Sequence, residues 1–102
     1  MTVAAVNTNI LSLTLYKSNL EFSIMGISNK RQNIAYTLSR ACTGSDWEND
    51  PQVQQLQYMD SYLELQQKNL ETQQKSATAQ LESLQKLLEN NIKKDFTINL
   101  SA

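Results

Sequence analysis

A long stretch of this sequence contains neither of the two residues that commonly break a helix. No glycine or proline follows Pro51 as far as Lys94, and the whole chain has only two glycines and one proline. So few chain breakers favour long helices over a sheet with many turns. A helix of about 44 residues is ~65 Å long. Because a compact domain of this chain length has a radius of gyration of only ~13 Å, such a helix must project from any globule.

The charges within this stretch also indicate a helix. Four glutamates precede a lysine by four residues, the favourable order on a helix surface, and together they contribute ~1–2 kcal/mol to helix formation. The pairs are Glu64/Lys68, Glu71/Lys75, Glu82/Lys86 and Glu89/Lys93. We predict helix 2 at about residues 51–94. The tail that follows, residues 95–102, forms either a short strand or a frayed end.

The first half of the chain has the periodicity of a coiled coil. Apolar residues recur at spacings of three and four, interrupted by Lys17 and Arg31. These apolar residues are Ile10, Leu13, Leu20, Ile24, Ile27, Ile34, Leu38 and Ala41. A second stripe consists of Leu11, Leu15, Phe22 and Met25. We predict helix 1 at about residues 9–41, with Gly26 as the expected position of a kink.

The turn between the helices is predicted at residues 42–50. Asp50 followed by Pro51 signals a helix start, because the carboxylate accepts a hydrogen bond from a first-turn N–H and proline's fixed φ suits the first helical position. Trp47 is either a cap over the open end of the hairpin or an anchor for a partner protein. The predicted fold is therefore all-α, a single domain formed by an elongated antiparallel two-helix hairpin of the coiled-coil kind.

The two predicted helices are poorly matched away from the turn. In an antiparallel hairpin closed there, Leu20 faces Gln73 and Leu13 faces Gln80. Each exposed leucine, isoleucine or phenylalanine forgoes ~1.5–3 kcal/mol, and monomers rarely expose a stripe this long. We expect residues 10–27 and 81–96 to pack against other protein chains, either copies of this one or a different partner. The expected interface residues are Ile10, Leu13, Leu20, Phe22, Ile24, Ile27, Leu81, Leu84, Leu88, Ile92 and Phe96.

The sequence contains no constellation of catalytic residues. It has no histidine, and Cys42 is its only cysteine, so neither a metal site nor an activated nucleophile is expected. The two glycines are too far apart for a phosphate-binding loop. A net charge of −1 gives no general attraction to nucleic acid. We therefore expect no enzymatic activity, no cofactor, no small-molecule substrate and no nucleic-acid partner.

The two halves of the chain have opposite charge. Residues 1–45 carry a net charge of +3, and residues 46–102 carry −4. The N-terminus lacks the basic and apolar regions of a signal peptide, and no apolar run is long enough to insert into a membrane. We expect an extracellular or cell-surface location reached by a route that needs no signal peptide; the alternative is the cytoplasm.

Residues near the turn and in the last part of helix 2 resemble the needle and inner-rod subunits of type III secretion systems. The resemblance rests on Asn49-Asp50-Pro51-Gln52 and on Asn91-Ile92-Lys93-Lys94-Asp95-Phe96, and it covers roughly residues 49–96. The long first helix and the tail depart from those compact subunits. The resemblance implies a subunit whose helices pack in the core of a helical filament.

Two further resemblances concern other parts of the chain. Val6-Asn7-Thr8-Asn9 followed by a heptad-patterned helix is similar to the N-terminal segment of bacterial flagellins, although Arg40 and Ala41 follow Ser39 where that family has Ser-Gly. The family likewise implies a filament subunit exported without a cleaved signal peptide. The position of Trp47 resembles that in secreted Trp-x-Gly helical hairpins, but Asn49 stands in place of the glycine.

These patterns predict a structural protein that assembles with itself into a filament, needle or rod, linked to a secretion or flagellar-type export system. The alternatives are a cytosolic coiled-coil chaperone or adaptor that binds a partner helix, and a secreted hairpin of the Trp-x-Gly type.

Overall fold

A computed structural model describes the chain at residues 2–44 and 46–101, with side chains described as far as Phe96. It contains α1 (Val3–Ala41), a short 3₁₀ helix (Trp47–Asn49) and α2 (Pro51–Ser101). Over the part that is described there is no strand. The predicted all-α fold, an antiparallel two-helix hairpin, is confirmed.

The start of α1 corrects the prediction, because the helix begins at Val3 and not near residue 9. Thr2 caps it: its Oγ1 atom accepts a hydrogen bond from the N–H of Ala5 at 3.1 Å, and its carbonyl accepts one from Val6 at 3.0 Å. The hydroxyl of Thr8 donates to the carbonyl of Ala4 at 3.0 Å. Val6-Asn7-Thr8-Asn9, which the sequence placed before the helix, therefore lies within it.

The interior of α1 is unbroken. Gly26 lies within continuous helix, so the predicted kink does not divide α1 in two. No heavy atom lies within 4 Å of a Cβ built on Gly26, and its φ is not positive. Neither a close approach nor a special backbone conformation requires a glycine at this position.

The start of α2 follows the sequence signal. Pro51 is its first residue, and the Asp50 carboxylate accepts a hydrogen bond from the N–H of Gln52 at 2.9 Å. The carbonyl of Asp50 accepts a second one from Gln54 at 3.1 Å. The end of α2 was mispredicted: the helix runs to Ser101, through most of the expected strand or frayed tail, while Ala102 lies outside the described residues.

The chain divides into two compact units. The turn unit is Glu21–Thr72, and the terminal unit combines Met1–Leu20 with Gln73–Ala102. In each unit α1 and α2 meet along a seam of residues spaced three and four apart. The buried side chains are Val6, Leu20, Ala77 and Leu81 in the terminal unit, and Ile34, Val53 and Leu63 in the turn unit.

The contacts within each unit show which parts of α1 and α2 lie opposite one another. In the turn unit, Arg31 bonds to Asp60 and Gln67, which flank Leu63. In the terminal unit, Leu13 lines one surface depression together with Gln80 and Leu84, so it lies near Gln80 as the predicted pairing places it. Leu81 is buried whereas Gln80 is exposed. The burial of Leu81 makes the seam of the terminal unit better matched than we expected.

Candidate functional site

A polar cluster occupies the seam of the turn unit. The Nε atom of Arg31 donates to Oδ1 of Asp60 at 2.9 Å, and Nη1 donates to Oε1 of Gln67 at 3.1 Å. Nη2 lies 3.4 Å from Oδ2 of Asp60 and 3.9 Å from Oε2 of Glu64. Glu64 also pairs with Lys68 at 3.2 Å. Arg31 thus holds three side chains of α2 from one seam position.

The electrostatics of this cluster keep Arg31 charged. Its hydrogen bond to Asp60 raises the pKa of the guanidinium, partial burial opposes the rise, and the negative charges of Asp60, Glu64 and Glu71 add to it. A single polar residue in a coiled-coil seam specifies register at a cost in stability. The arrangement can therefore fix the alignment of α1 with α2.

The seam of the terminal unit has no comparable charged cluster among its described side chains. The Tyr16 hydroxyl donates to Oε1 of Gln73 at 3.0 Å at its edge. Lys17 interrupts the apolar stripe of α1 in this unit and is half-buried, and Ala77 is only 2% exposed. The apolar stem of a lysine can pack along a seam while its amine reaches solvent.

The outer face of α1, which points away from α2, is apolar and uncharged. Leu11 and Leu15 in the terminal unit and Phe22 and Met25 in the turn unit are 63–79% exposed. We call these four residues the outer stripe. By helical spacing, the positions opposite the seam from Ala4 to Ser39 carry apolar and uncharged polar residues, and exposed Arg40 follows them.

The outer face of α2 is mostly charged. Six of its outward positions are exposed lysines and glutamates, namely Lys68, Lys75, Glu82, Lys86, Glu89 and Lys93. A solvated helix face normally has this composition. The two helices therefore differ: α2 is built to face water on its outer side, and α1 is not.

One part of the outer face of α2 departs from this pattern. In the turn unit, Tyr58, Tyr62 and Leu65 are 57–78% exposed and stand at i, i+4 and i+7, so they lie on one side of the helix. We call these three residues the tyrosine patch. The hydroxyl of Tyr62 accepts a hydrogen bond from Nε2 of Gln66 at 3.0 Å. No charged residue stands between them on the outward positions.

A shallow groove borders the tyrosine patch in the turn unit. It has a volume of about 450 Å³. Its lining residues are Lys30, Asn33, Ile34, Met59, Tyr62, Leu63 and Gln66. The groove is lined by residues of both helices at the edge of the seam.

The residues predicted to contact other chains occupy different environments. Leu20 and Leu81 are buried in the seam, so for these two the expected intermolecular contact is replaced by an intramolecular one. Six others are half-buried along the seam: Ile10, Leu13, Ile24, Ile27, Leu84 and Leu88. Phe22, Ile92 and Phe96 remain exposed. Leu11, Leu15 and Met25 lie within the predicted interface range of residues 10–27, although they were not named individually. The tyrosine patch lies outside both predicted ranges, although its helical spacing marks it.

The turn residues cap α2. Trp47 is half-buried and begins the 3₁₀ helix, where its carbonyl accepts a hydrogen bond from the N–H of Asp50 at 3.2 Å. Pro51 is exposed. The partial burial of Trp47 is consistent with both of its interpretations, a hairpin cap and a partner anchor.

Potential metal ligands do not cluster in the part of the chain that the structure describes. Within residues 2–44 and 46–101, no three histidine, cysteine, aspartate or glutamate side chains come together as a metal site would need. Cys42 is half-buried and free. Neither α1 nor α2, as far as described, has an apolar segment able to cross a membrane.

Comparison with known proteins gives no relative from which to transfer a function. No protein-family model, no curated protein and no solved structure matches the chain. The resemblances to needle and inner-rod subunits and to flagellin therefore stay predictions.

Proposed function

We propose that this protein is a structural subunit that assembles with copies of itself into a filament, needle or rod. The observation that supports this most directly is the outer stripe of α1. The four large apolar side chains of the stripe are exposed to solvent on the outer face of α1. The seam side of the same helix is already packed against α2. A patch of this kind usually marks a protein–protein contact.

Covering the outer stripe contributes favourable free energy to assembly. Burying one largely exposed leucine, phenylalanine or methionine contributes ~1–2 kcal/mol. Four of them contribute ~4–8 kcal/mol, before the ordering costs of association are subtracted. Each copy can contribute this surface repeatedly along a polymer.

Export from the cell is part of the same proposal. The resemblance of residues 49–96 to needle and inner-rod subunits, and of residues 6–40 to flagellin, implies secretion without a cleaved signal peptide. Under this proposal, the hairpin with its exposed apolar stripe stays unassembled until it leaves the cell.

The test of self-assembly is concentration-dependent growth. Light scattering of the purified protein is measured at concentrations up to about 100 times that at which assembly begins. The largest species are imaged by negative-stain microscopy. We expect fibres or rods for the native sequence and monomers for Phe22→Glu, because the new carboxylate would have to be buried. Ala79→Glu, at an exposed position on the outer side of α2 and outside the predicted interface ranges, is the matched control and should assemble normally.

The groove of the turn unit favours a second candidate function, a chaperone or adaptor that receives one partner helix. Ile34, Met59 and Leu63 give the groove an apolar lining suited to such a helix. This function predicts a small oligomer of fixed size at every concentration. If the native protein stays monomeric or dimeric and no fibres form, self-assembly is wrong and the adaptor becomes the better proposal.

A further inference from the structure

We propose that the groove of the turn unit binds the C-terminal part of α2 of another copy, through Glu89, Ile92 and Phe96. This inference rests on the proposed self-assembly and names a contact that orders the copies. We call these three residues the terminal face. They belong to the terminal unit and stand at i, i+3 and i+7, so they lie on one side of the helix. All three are exposed, Ile92 by 51% and Phe96 by 64%.

The groove combines apolar side chains with one charged residue. Ile34 and Leu63 in its lining are buried, while Met59 is 46% exposed and available to a neighbouring side chain. Lys30 is the only charged residue of the lining, and it forms no ion pair with any residue that the structure describes. The groove therefore suits a segment that combines large apolar side chains with one carboxylate.

The charge of Lys30 favours the terminal face over the outer stripe as the occupant of the groove. On the terminal face, the Glu89 carboxylate stands on the same side of the helix as Ile92 and Phe96. The outer stripe offers a poorer match, because the acidic residue next to it, Glu21, already has an interaction partner. Complementary charges of this kind select a partner and its orientation more than they add affinity.

The groove and the terminal face also agree in length. The α2 side of the groove runs from Met59 to Gln66, and the terminal face runs from Glu89 to Phe96. Each advances seven residues along a helix, or about 10 Å. Because α1 and α2 are antiparallel, Lys30 lies at the Gln66 end of the groove. Pairing Glu89 with Lys30 brings Phe96 to the Met59 end, where contacts between sulfur and an aromatic ring are favourable.

This contact joins unlike surfaces, the turn unit of one copy and the terminal unit of the next. Such a contact is heterologous, and it generates an open polymer unless the rotation between copies closes a ring. Two apolar side chains and one ion pair bury less than the ~1,000 Å² at which specific interfaces begin. The groove contact therefore orders copies that the outer stripe holds together, and it does not join two copies by itself.

The first test exchanges the two charges. Lys30→Glu places two carboxylates opposite each other and Glu89→Lys places two amines, so each should raise the concentration at which assembly begins by about 3- to 10-fold. Both residues are exposed, so circular dichroism should show native helix content. The chain with both substitutions should recover the native concentration, because the ion pair forms again in the opposite sense. Lys30→Glu combined with Glu82→Lys is the matched control, which has the same net charge and should not recover.

The decisive measurement identifies the segment that occupies the groove. Exposed Gln66 is replaced by a photo-crosslinking amino acid, half of the chains are isotope-labelled, and mass spectrometry identifies the linked peptides of the assembled protein. Cross-links from position 66 to residues 89–96 of a different copy support the proposal. Fibres in which position 66 links only within its own chain, only to other segments or to nothing would overturn the groove contact while leaving self-assembly in place, and so would a charge exchange that recovers nothing. A native chain that never assembles would reject the proposed function itself.

Discussion

Leu20 and Phe22 are two residues apart on α1 and have opposite environments. Leu20 is 6% exposed in the seam, while Phe22 is 79% exposed on the outer face. Both are large apolar residues in heptad-like patterns, so the sequence treats them alike. The comparison shows that α1 carries two coiled-coil-like stripes, of which the hairpin satisfies one.

The difference separates folding from assembly. Residues of the seam stabilise the hairpin whether or not another copy is present. Residues of the outer stripe add nothing to the isolated hairpin and gain energy only when another chain covers them. Substitutions at the two kinds of position should therefore change different measurements.

The largest effect is expected for Leu20→Glu. Removal of a buried leucine and introduction of a carboxylate into the seam should lower the free energy of unfolding by ~4–5 kcal/mol. Urea unfolding monitored by circular dichroism measures it. The background should be Phe22→Glu, because assembly would otherwise add concentration-dependent stability.

Phe22→Glu by itself is the matched comparison for that measurement. Its unfolding free energy should lie within ~0.5 kcal/mol of the native chain at concentrations where both are monomeric. A loss at position 22 as large as that at position 20 would show that the outer stripe is packed within the hairpin, and the separation of the two roles would fail.

The second prediction concerns Arg31 and the register of the seam. Arg31→Leu leaves Asp60 without its main partner, so the urea midpoint should fall. Arg31→Leu combined with Asp60→Leu should recover or exceed the native midpoint, because an apolar layer replaces the ion pair. The double variant should also align α1 and α2 less uniquely, which NMR would detect as broadened amide signals of the turn unit.

The sequence predicted the fold class well because its signals were local. Helix propensity, acid-first pairs and the scarcity of breakers indicated two long helices, and Asp50 with Pro51 marked the start of the second one. The errors lay at the outer ends. Capping by Thr2 and burial of Val6 extended α1, and neither effect is visible in periodicity alone.

The candidate surfaces were harder to predict. Facing positions taken one pair at a time, such as Leu13 with Gln80, overlooked the burial of the adjacent Leu81 and exaggerated the mismatch between the helices. Burial by the partner helix then accounted for Leu20 and Leu81, which sequence alone assigned to other chains. The tyrosine patch was missed because three residues give little periodic signal and stand in a polar helix.

A smaller effect is expected at the start of α2. Asp50→Ala removes the side chain that accepts the hydrogen bond from Gln52, so the unfolding free energy should fall by ~1 kcal/mol. Asp50→Asn keeps an acceptor and should lose only part of it. Equal losses of unfolding free energy for Asp50→Ala and Asp50→Asn would mean that the cap is not the cause. Comparison with Thr2→Ala tests whether the turn unit and the terminal unit depend equally on their helix caps.

The smallest effect is expected at Gly26, on the uncharged outer face of α1. A Cβ at this position meets no heavy atom within 4 Å, and the backbone is ordinary helix. Gly26→Ala should therefore raise the unfolding free energy by ~0.5–1 kcal/mol, since alanine loses less conformational freedom on folding. Because position 26 is next to Met25, the same variant also probes assembly. A more stable monomer that no longer assembles would mean that the neighbouring chain approaches the α1 backbone closely at this glycine. Unchanged assembly would mean that the large side chains of the outer stripe make the contact alone.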